Sequence, residues 1–459
     1  MVFNKMIAKA TICAMVLSLL FSGCGNNVKT GSQSESEKVE IIRVWTGESH
    51  SKDVLTKLVE QYNETIGKQE GIKIEYTVHS GDYKNVLDMA IASSQQPEIF
   101  RPSGGGYAES GKITAISDMP GGEEFIAKYK DKLVKNVNII NGKVYSIPWS
   151  VTTIGLLYNK DMFKKAGIVD EKGEAKPPKT WEEMREYAKK LTNPKEEKYG
   201  IAIPLKWGGY SDFELINPYV SSIGRGIFDT TTGKFDFSVY KPLFTWLEQI
   251  REDNSYFPGP EGLDNDPARA QFAEGRIGMK FGASWDVGVL NDQFPAKIDW
   301  GVAEIPTMDS NVRYKSFMSP QSLGAISSDI HGKDPKKVFE VYKWLHSDEV
   351  LLKLYEAGKY IPVDANIVKN SSNTPTSKGW KEFALLAEKS SSIIYAPEIS
   401  NKGLMFGAAT SKIWTKTMSI DDAIEAMNKG YNEALEKGRQ NGSFDINNYI
   451  NKDYNTMIK

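Results

Sequence analysis

Residue types that could carry out catalysis occur in this chain, but not at the spacings that known chemistry requires. The histidines are His50, His79, His331 and His346, and none of them shows the spacing of a zinc protease. The sequence has no Gly-x-Ser-x-Gly elbow, and the Gly104–Gly106 run lacks the Lys-Ser/Thr of a phosphate-binding loop. Nucleophilic catalysis, a metal and a cofactor are therefore not predicted.

Paired carboxylates could indicate glycoside hydrolysis or calcium binding. The pairs are Asp264 with Asp266 and Asp421 with Asp422. Such pairs on loops and at helix starts are far more often solvated or capping groups. A secreted glycoside-active enzyme stays open as an alternative.

Aromatic side chains beside glycine and polar residues suggest a binding role. The chain has 10 Trp and 21 Tyr, and Trp45, Trp149, Trp207 and Trp285 all have such neighbours. Trp and Tyr can cover the apolar face of a sugar ring, while carboxylates, amides and Arg bond its hydroxyl rim. Taken singly, each Trp fits a core position better. Together they favour a carbohydrate cleft.

The N-terminal residues have the order of an export signal. Lys5 and Lys9 precede an apolar run, Ala10–Phe21, and the small residues Ser22 and Gly23 lead to Cys24. The run is shorter than the roughly 20 residues of a membrane-spanning helix. Phe-Ser-Gly-Cys resembles the lipobox of bacterial lipoproteins, which implies cleavage before Cys24 and its lipidation. An ordinary signal peptide with an incidental Cys is the alternative.

Composition limits what the exported chain can be. Residues 24–39 are small and polar and are predicted to form a flexible linker. Removing residues 1–23 changes 57 basic and 59 acidic residues to 55 and 59, a net charge of −4, which does not suggest nucleic acid as a partner. Cys13 lies in the signal, so no disulfide is expected. More than 400 remaining residues exceed what one core normally serves.

Strand and helix patterns alternate along the chain. Ile41–Trp45 and Ile72–Val78 have strand patterns, and Asp53–Ile66 between them has helical spacing. This order predicts an α/β fold with a largely parallel sheet. Further strands are predicted at Ile277–Phe281 and Trp300–Ile305.

Three further helices and one loop have clear local signals. Thr180 opens a capping box, Asp334 precedes a first-turn proline, and Ser419 precedes the last long apolar repeat. Asn366–Gly379 is predicted to be loop because it is rich in Asn, Ser, Thr and Pro.

Several sequence blocks resemble the family 1 extracellular solute-binding proteins of bacterial ABC importers, which include maltose-binding protein. They occur in family order from about residue 40 to the C-terminus. The blocks are Gln96–Phe100, Gly105–Gly111, Tyr145–Gly167, Pro177–Glu183, Phe272–Met279 leading to Trp285, and Ile361–Pro362.

The resemblance implies a type II periplasmic-binding-protein fold, in which two α/β lobes joined by hinge crossings close on a ligand. We place lobe one at residues 40–150 plus 321–361, and lobe two at residues 151–320 plus 362–459. The crossings are expected near Pro148–Thr153, Pro320–Leu323 and Tyr360–Val363.

The resemblance also implies ligand contacts, residue by residue. Trp285 falls where a family indole stacks on sugar, and Asp286 beside it could bond hydroxyls. Sugar binders often place Asp-Arg in the loop where this chain has Arg101-Pro-Ser103, and a carboxylate where it has Thr152, so we do not expect it to bind its ligand as maltose is bound. The predicted contacts are Trp45, Glu48, Arg101, Ser103, Trp149, Thr152, Trp207, Tyr210, Trp285, Asp286 and Phe406.

The sequence therefore predicts reversible carbohydrate binding, of an oligosaccharide by preference, and delivery to an ABC permease. The protein is expected to be a monomer, lipid-anchored at the extracellular face of the bacterial membrane. A binding protein for a non-sugar solute and a sensor subunit stay open, the former if the cleft contacts are mainly charged.

Overall fold

The computed structural model describes residues 39–450, apart from 80–82, 103–105, 134, 136, 209, 310, 313, 315, 370 and 393–395. The predicted signal, Cys24, the linker up to residue 38 and Ser103 lie outside the described residues. Among the residues described, no helix is both long enough and apolar enough to cross a membrane.

Strands and helices alternate along the chain. The strands are β1 (Glu40–Thr46), β2 (Ile72–Val78), β3 (Ile99–Phe100), β4 (Ile139–Ile140), β5 (Lys143–Val144), β6 (Ser150–Thr152), β7 (Ile154–Asn159), β8 (Tyr199–Ile201), β9 (Phe228–Asp229), β10 (Lys234–Phe235), β11 (Ile277–Ala283), β12 (Trp300–Ala303), β13 (Ser316–Gln321), β14 (Ala325–Ile326), β15 (Ile361–Pro362) and β16 (Ser390–Ser392).

The α-helices are α1 (Lys52–Glu64), α2 (Ile66–Glu70), α3 (Tyr83–Ala92), α4 (Gly122–Ala127), α5 (Lys160–Lys165), α6 (Trp181–Leu191), α7 (Asn217–Ile223), α8 (Lys241–Glu252), α9 (Asn265–Ala273), α10 (Asp286–Gly288), α11 (Pro335–Leu345), α12 (Asp348–Glu356), α13 (Ala365–Lys369), α14 (Trp380–Glu388), α15 (Phe406–Trp414) and α16 (Ile420–Gln440). Tyr210–Ile216 and Val289–Gln293 are π-helical. Short 3₁₀ turns lie at Ile116–Asp118, Lys130–Lys132, Pro194–Glu196, Phe237–Tyr240, Pro260–Gly262 and Ile446–Asn448.

The helices predicted from capping signals are confirmed. The Thr180 hydroxyl accepts a hydrogen bond from the amide three residues on (3.1 Å) at the start of α6. The Asp334 carboxylate accepts from the amide two residues on (2.9 Å) before α11, and Ser419 from the amide three residues on (3.1 Å) before α16. Each cap satisfies an amide that has no partner within its helix.

The loop predicted at Asn366–Gly379 is wrong at its start, where α13 forms. The Asp364 carboxylate accepts a hydrogen bond from the Asn366 amide (2.9 Å), and Ile367 is buried in the core. One cap and one buried apolar residue therefore outweigh the loop-forming composition at this end.

Two four-stranded sheets form the framework. The first sheet has the order β14-β3-β1-β2 and is parallel except for β14, which agrees with the predicted parallel sheet. The second sheet has the order β12-β7-β11-β8, and here β7 runs antiparallel to both of its neighbours. The second sheet is therefore mixed, unlike the first.

Each sheet has its own apolar core. The core on the first sheet takes its buried residues from 42–149 and 323–367, and that on the second from 154–305 and 406–435. A third apolar cluster packs second-sheet residues such as Leu157 and Trp300 together with Tyr355 and Ile361. The lobe boundaries stay a prediction.

The three segments predicted as crossings lie side by side in a third sheet, β15-β6-β13-β16. Val151 of β6 is opposite Pro320 of β13 on one side and Ile361 of β15 on the other, and both pairings are antiparallel. Their backbones pair as neighbouring strands of this sheet, which we call the crossing sheet. That the three segments link two lobes stays a prediction.

Candidate ligand-binding site

A cavity of about 680 Å³ lies between the start of α1 and the segment that follows β11. Its size falls within the roughly 300–1,000 Å³ of typical small-molecule sites. The lining residues are Ser49, His50, Lys52, Asp53, Thr56, Lys57, Glu60, Trp285, Gly288, Val289, Asp292, Gln293 and Lys359. Trp285 is the predicted contact that this lining includes.

The amphipathic pattern of α1 creates one wall. Leu55, Val59 and Tyr62 are buried on one face of the helix and hold it to the first sheet. The opposite face, which carries Lys52 and Lys57, is left to the cavity. The helix begins directly after β1, and the carboxyl ends of parallel strands are where α/β folds place ligand sites.

The cavity lining as a whole is strongly polar but has no net charge. It includes three lysines and three carboxylates, and Lys359 Nζ lies 3.7 Å from Asp53 Oδ1. Burial lowers the pKa of His50 below its ordinary value, although the Glu48 carboxylate acts in the opposite direction. His50 is therefore neutral at pH 7, and the cavity presents hydrogen-bonding groups without an excess charge.

Glu48 and Arg101, both predicted contacts, bind each other beside this wall. Their side chains form an ion pair and are 20% and 18% exposed. The Tyr360 hydroxyl donates to the same carboxylate and lies 3.4 Å from Ser51 Oγ. Burial is the largest single influence on Arg101 and lowers its pKa, but Glu48, Tyr360 and Tyr83 together outweigh it, so the Arg101 pKa is raised above its ordinary value. The pair is thus preorganised, with part of each group still open to a ligand.

Tyr360 was not identified from the sequence. Burial, and then the Glu48 charge, raise its pKa well above the ordinary value, so its hydroxyl stays protonated. It directly precedes β15, so it joins the Glu48 loop to a predicted crossing. Tyr360 lies far from Glu48 in sequence, so no local pattern connected the two residues. The sequence placed Tyr360 only in the third expected crossing.

Trp45 is half-buried, and its ring meets His79 edge-on with centroids 4.5 Å apart. Its carbonyl accepts hydrogen bonds from the Arg101 amide (3.0 Å) and the Tyr83 hydroxyl (3.2 Å). Trp207 is also half-buried and packs against the core of the second sheet. Neither belongs to the cavity lining among the described residues.

Aromatic side chains predicted as contacts are packed inside the protein. Trp149, Tyr210 and Phe406 are 3%, 2% and 4% exposed, and Thr152 is 9% exposed. Phe406, for example, stacks on Phe244 with centroids 5.4 Å apart. In this arrangement their surface is covered by other core residues, so the structure gives them a packing role instead of a place on a ligand surface.

Asp286 is also turned inward and is fully buried. Its carboxylate accepts hydrogen bonds from the Arg269 side chain (2.6 Å) and the Ala283 amide (2.7 Å). These partners occupy the oxygens that were expected to bond sugar hydroxyls. No cluster of three or more His, Cys, Asp or Glu suited to a metal ion occurs in the described part of the chain.

The two sheets, the crossing sheet and the cavity beside the first parallel strands together define a ligand-binding protein of the periplasmic-binding class. Residues 48–389 match the family described as bacterial extracellular solute-binding protein, and the chain belongs to this family. The family consists of binding proteins.

Similar proteins support the same fold. The chain is 25% identical over 378 residues to a maltotriose-binding protein of Pyrococcus abyssi, covering 78% of this chain and 74% of that protein. It is 26% identical over 326 residues to the sn-glycerol-3-phosphate-binding periplasmic protein UgpB of Brucella melitensis, covering 68% and 72%. The maltose/maltodextrin-binding domain MalE of Bdellovibrio bacteriovorus, bound to maltotriose, superimposes with a TM-score of 0.66 at 18% identity, covering 86% of this chain and 100% of that one.

Proposed function

We propose that this protein captures a carbohydrate, an oligosaccharide by preference, outside the cytoplasm and delivers it to the permease of an ABC importer. The observation that carries the proposal is Trp285, which lines a cavity of about 680 Å³ opposite a polar wall, in a lining whose three lysines and three carboxylates balance. An indole matches the apolar face of a sugar, and the polar wall matches its hydroxyls. The maltotriose-binding relative and the maltotriose-bound structure support a glycan ligand.

Binding would shift an equilibrium between open and closed arrangements without making or breaking a bond. One wall of the cavity comes from α1, in proposed lobe one, and the other from Trp285 and the residues after it, in proposed lobe two. A ligand contacting both walls would favour the arrangement that brings them together. The crossing sheet is the proposed hinge.

The direct test is calorimetry with a panel of maltose, maltotriose, longer maltodextrins and raffinose. Trp285→Ala should weaken binding by about 1 kcal/mol or more, because the stacking surface is lost. Trp344→Ala is the matched control, since this half-buried indole packs on Tyr62 (centroids 4.6 Å) and does not line the cavity. If the wild type binds no glycan, the carbohydrate assignment fails while the fold assignment is unaffected.

A phosphate-bearing solute is the second candidate, because Lys52, Lys57 and Lys359 all line the cavity. The glycerol-phosphate-binding relative makes this class a reasonable comparison. Titration with sn-glycerol 3-phosphate tests it: binding that weakens with salt and is reduced in Lys57→Gln would replace the carbohydrate proposal. Glycan binding that is unchanged in Lys57→Gln would exclude a dominant role for this charge.

We further propose that the protein catalyses no reaction on its ligand. Prolonged incubation with the panel sugars should leave their chain lengths unchanged by chromatography. Release of shorter products would establish the glycoside-active alternative. A role as sensor subunit would show instead as a signalling defect on deletion while sugar uptake is retained.

The lipid anchor at Cys24 is proposed from the sequence. Labelled fatty acid should be incorporated into the wild type and not into Cys24→Ala, which should be released from the membrane. Equal membrane association of both proteins would contradict the anchor. Size-exclusion chromatography with light scattering of residues 39–459 should give a monomer.

A further inference from the structure

The segment that carries Trp285 is held by a buried ion pair. Asp286 follows Trp285 directly and is fully buried. One of its carboxylate oxygens accepts from Arg269 Nε (2.6 Å) and the other from the Ala283 amide (2.7 Å). Arg269 comes from α9, and its side chain is 12% exposed. Helix α9 and the end of β11 are therefore both tied to the residue next to the indole.

The Asp286 carboxylate has little freedom to move. A Cβ at Gly282 would lie 2.8 Å from Asp286 Oδ2 and 2.6 Å from Leu157 Cδ1, so the carboxylate fits against bare backbone. Arg269 is itself fixed, because its Nη1 donates to Asp266 (2.9 Å) on its own helix. A charge-assisted hydrogen bond and an amide bond within this space restrict Asp286 to one position.

Stability alone is a weak reason for such a pair. Burying a carboxylate and a guanidinium costs desolvation that their attraction barely offsets, and apolar residues of similar size often stabilise as well. What the ion pair adds is a fixed position for the neighbouring Trp285. The turn from Ala283 to Asp286 directs Trp285 to the cavity wall, and the π-helical Val289–Gln293, which also lines the cavity, follows it.

We propose that Asp286 and Arg269 are positioning residues that fix the angle of the Trp285 indole and thereby set the preference for ligands with an apolar sugar face. This rests on the proposed function, since it concerns the same site. Neither residue is part of the cavity lining, and the Asp286 oxygens are engaged by Arg269 and by the Ala283 amide, so both are expected to act through Trp285.

A double-mutant cycle tests the proposal with the panel sugar that binds best. Asp286→Asn keeps the size of the side chain, so the fold should persist, but it removes the carboxylate charge and one of the two acceptors. Either Arg269 Nε or the Ala283 amide then loses its partner. We expect Kd to rise about three- to tenfold, the range of an aromatic stacking contribution. In the Trp285→Ala background the same substitution should change Kd less than twofold. Equal changes in both backgrounds would overturn the proposal.

Asp253→Asn is the matched control. It breaks a comparable pair, in which Arg185 Nε donates to Asp253 Oδ2 (2.6 Å), with side chains 20% and 15% exposed and neither residue lining the cavity. Its Kd should equal that of the wild type, even if its unfolding midpoint falls. A matching loss of affinity in Asp253→Asn would show that Asp286 acts only through general stability.

A measurement without ligand separates this inference from the proposed function. The fluorescence emission of Trp285 is obtained by subtracting the spectrum of a Trp285→Phe variant. The quenching of this emission by acrylamide is then compared between the protein with Asp286 and the Asp286→Asn variant. The quenching constant should rise when the indole is released. If no sugar binds the wild type, the proposed function fails, but the quenching comparison still tests whether Asp286 positions Trp285. An unchanged quenching constant would refute this positioning role.

Discussion

His346 is buried in its neutral form, and its protonation should destabilise the fold by about 3 kcal/mol at pH 4. The side chain is 1% exposed and lies at the end of α11. Its Nε2 accepts a hydrogen bond from the Leu323 amide (3.1 Å) and lies 2.8 Å from the Ser322 hydroxyl, and its Nδ1 lies 2.8 Å from the Tyr342 carbonyl oxygen. The amide donor requires Nε2 to be unprotonated, so Nδ1 carries the proton.

Burial lowers the pKa of His346 from 6.5 to about 4, although the Tyr342 carbonyl acts in the opposite direction. Below pH 6.5 the unfolded chain therefore binds a proton that the folded chain does not. Because the pKa of this basic group is lower in the folded state, the contribution of neutral His346 to the free energy of unfolding is fully present above pH 6.5. It is lost as pH falls to 4. At 1.36 kcal/mol per unit, this window gives the figure of about 3 kcal/mol.

Urea unfolding of the wild type and His346→Gln at pH 7, 6, 5 and 4 measures this effect. The variant is less stable at pH 7, but its stability should fall less with acid, because the titrating group is gone. The difference between the two curves should narrow by about 3 kcal/mol between pH 7 and pH 4. Parallel curves would refute the reasoning, since carboxylates elsewhere contribute equally to both proteins. A nitrogen NMR signal showing Nε2 protonated at pH 7 would refute it independently.

Other substitutions test the packing, each by urea unfolding at fixed pH. Thr180→Ala should cost about 1 kcal/mol through loss of the α6 cap, and Thr180→Ser, which keeps the hydroxyl, should lose little. Gly200→Ala should cost about 2–3 kcal/mol, because its Cβ would lie 2.1 Å from the Ala188 carbonyl oxygen; no effect would mean that α6 and β8 can separate freely. Lys280→Met should cost about 3–5 kcal/mol, because it leaves Glu214 buried without its cation. Burial raises the pKa of Glu214 to about 7 even beside Lys280, and loss of this cation should raise that pKa further. The loss of stability should therefore grow as pH rises above about 7, where the wild-type carboxylate ionises beside Lys280 and that of the variant does not; a constant or falling loss would contradict it.

The sequence was informative where a few neighbouring residues determine structure. Local caps predicted the starts of α6, α11 and α16, a short apolar segment predicted β1, and alternation predicted β2 and β11, because these signals lie within one turn or one strand. The family resemblance drew attention to three segments that the structure joins in one sheet, while their role as crossings between lobes stays a prediction. Asn366–Gly379 shows the limit, since one cap at Asp364 was enough to begin a helix in a loop-like composition.

The site was harder to predict because its surfaces depend on distant partners. Asp286 has the chemistry of a sugar contact, but Arg269 on another helix turns it inward. The sequence around Phe406 suggested a residue of the cleft, but in the structure Phe244 stacks on its ring. Conversely, the charged face of α1 has the pattern of an ordinary solvated helix face, and it becomes a cavity wall only because the segment at Trp285 lies opposite.

The division of labour within α1 has an evolutionary consequence. Leu55, Val59 and Tyr62 hold the helix in place, while the outward face that lines the cavity contributes little to that packing. Substitutions on such a face usually change stability by no more than about 0.5 kcal/mol. Descendants of this chain could therefore explore new cargo through Lys52, Lys57 and their neighbours by nearly neutral steps, without first acquiring compensating mutations in the core.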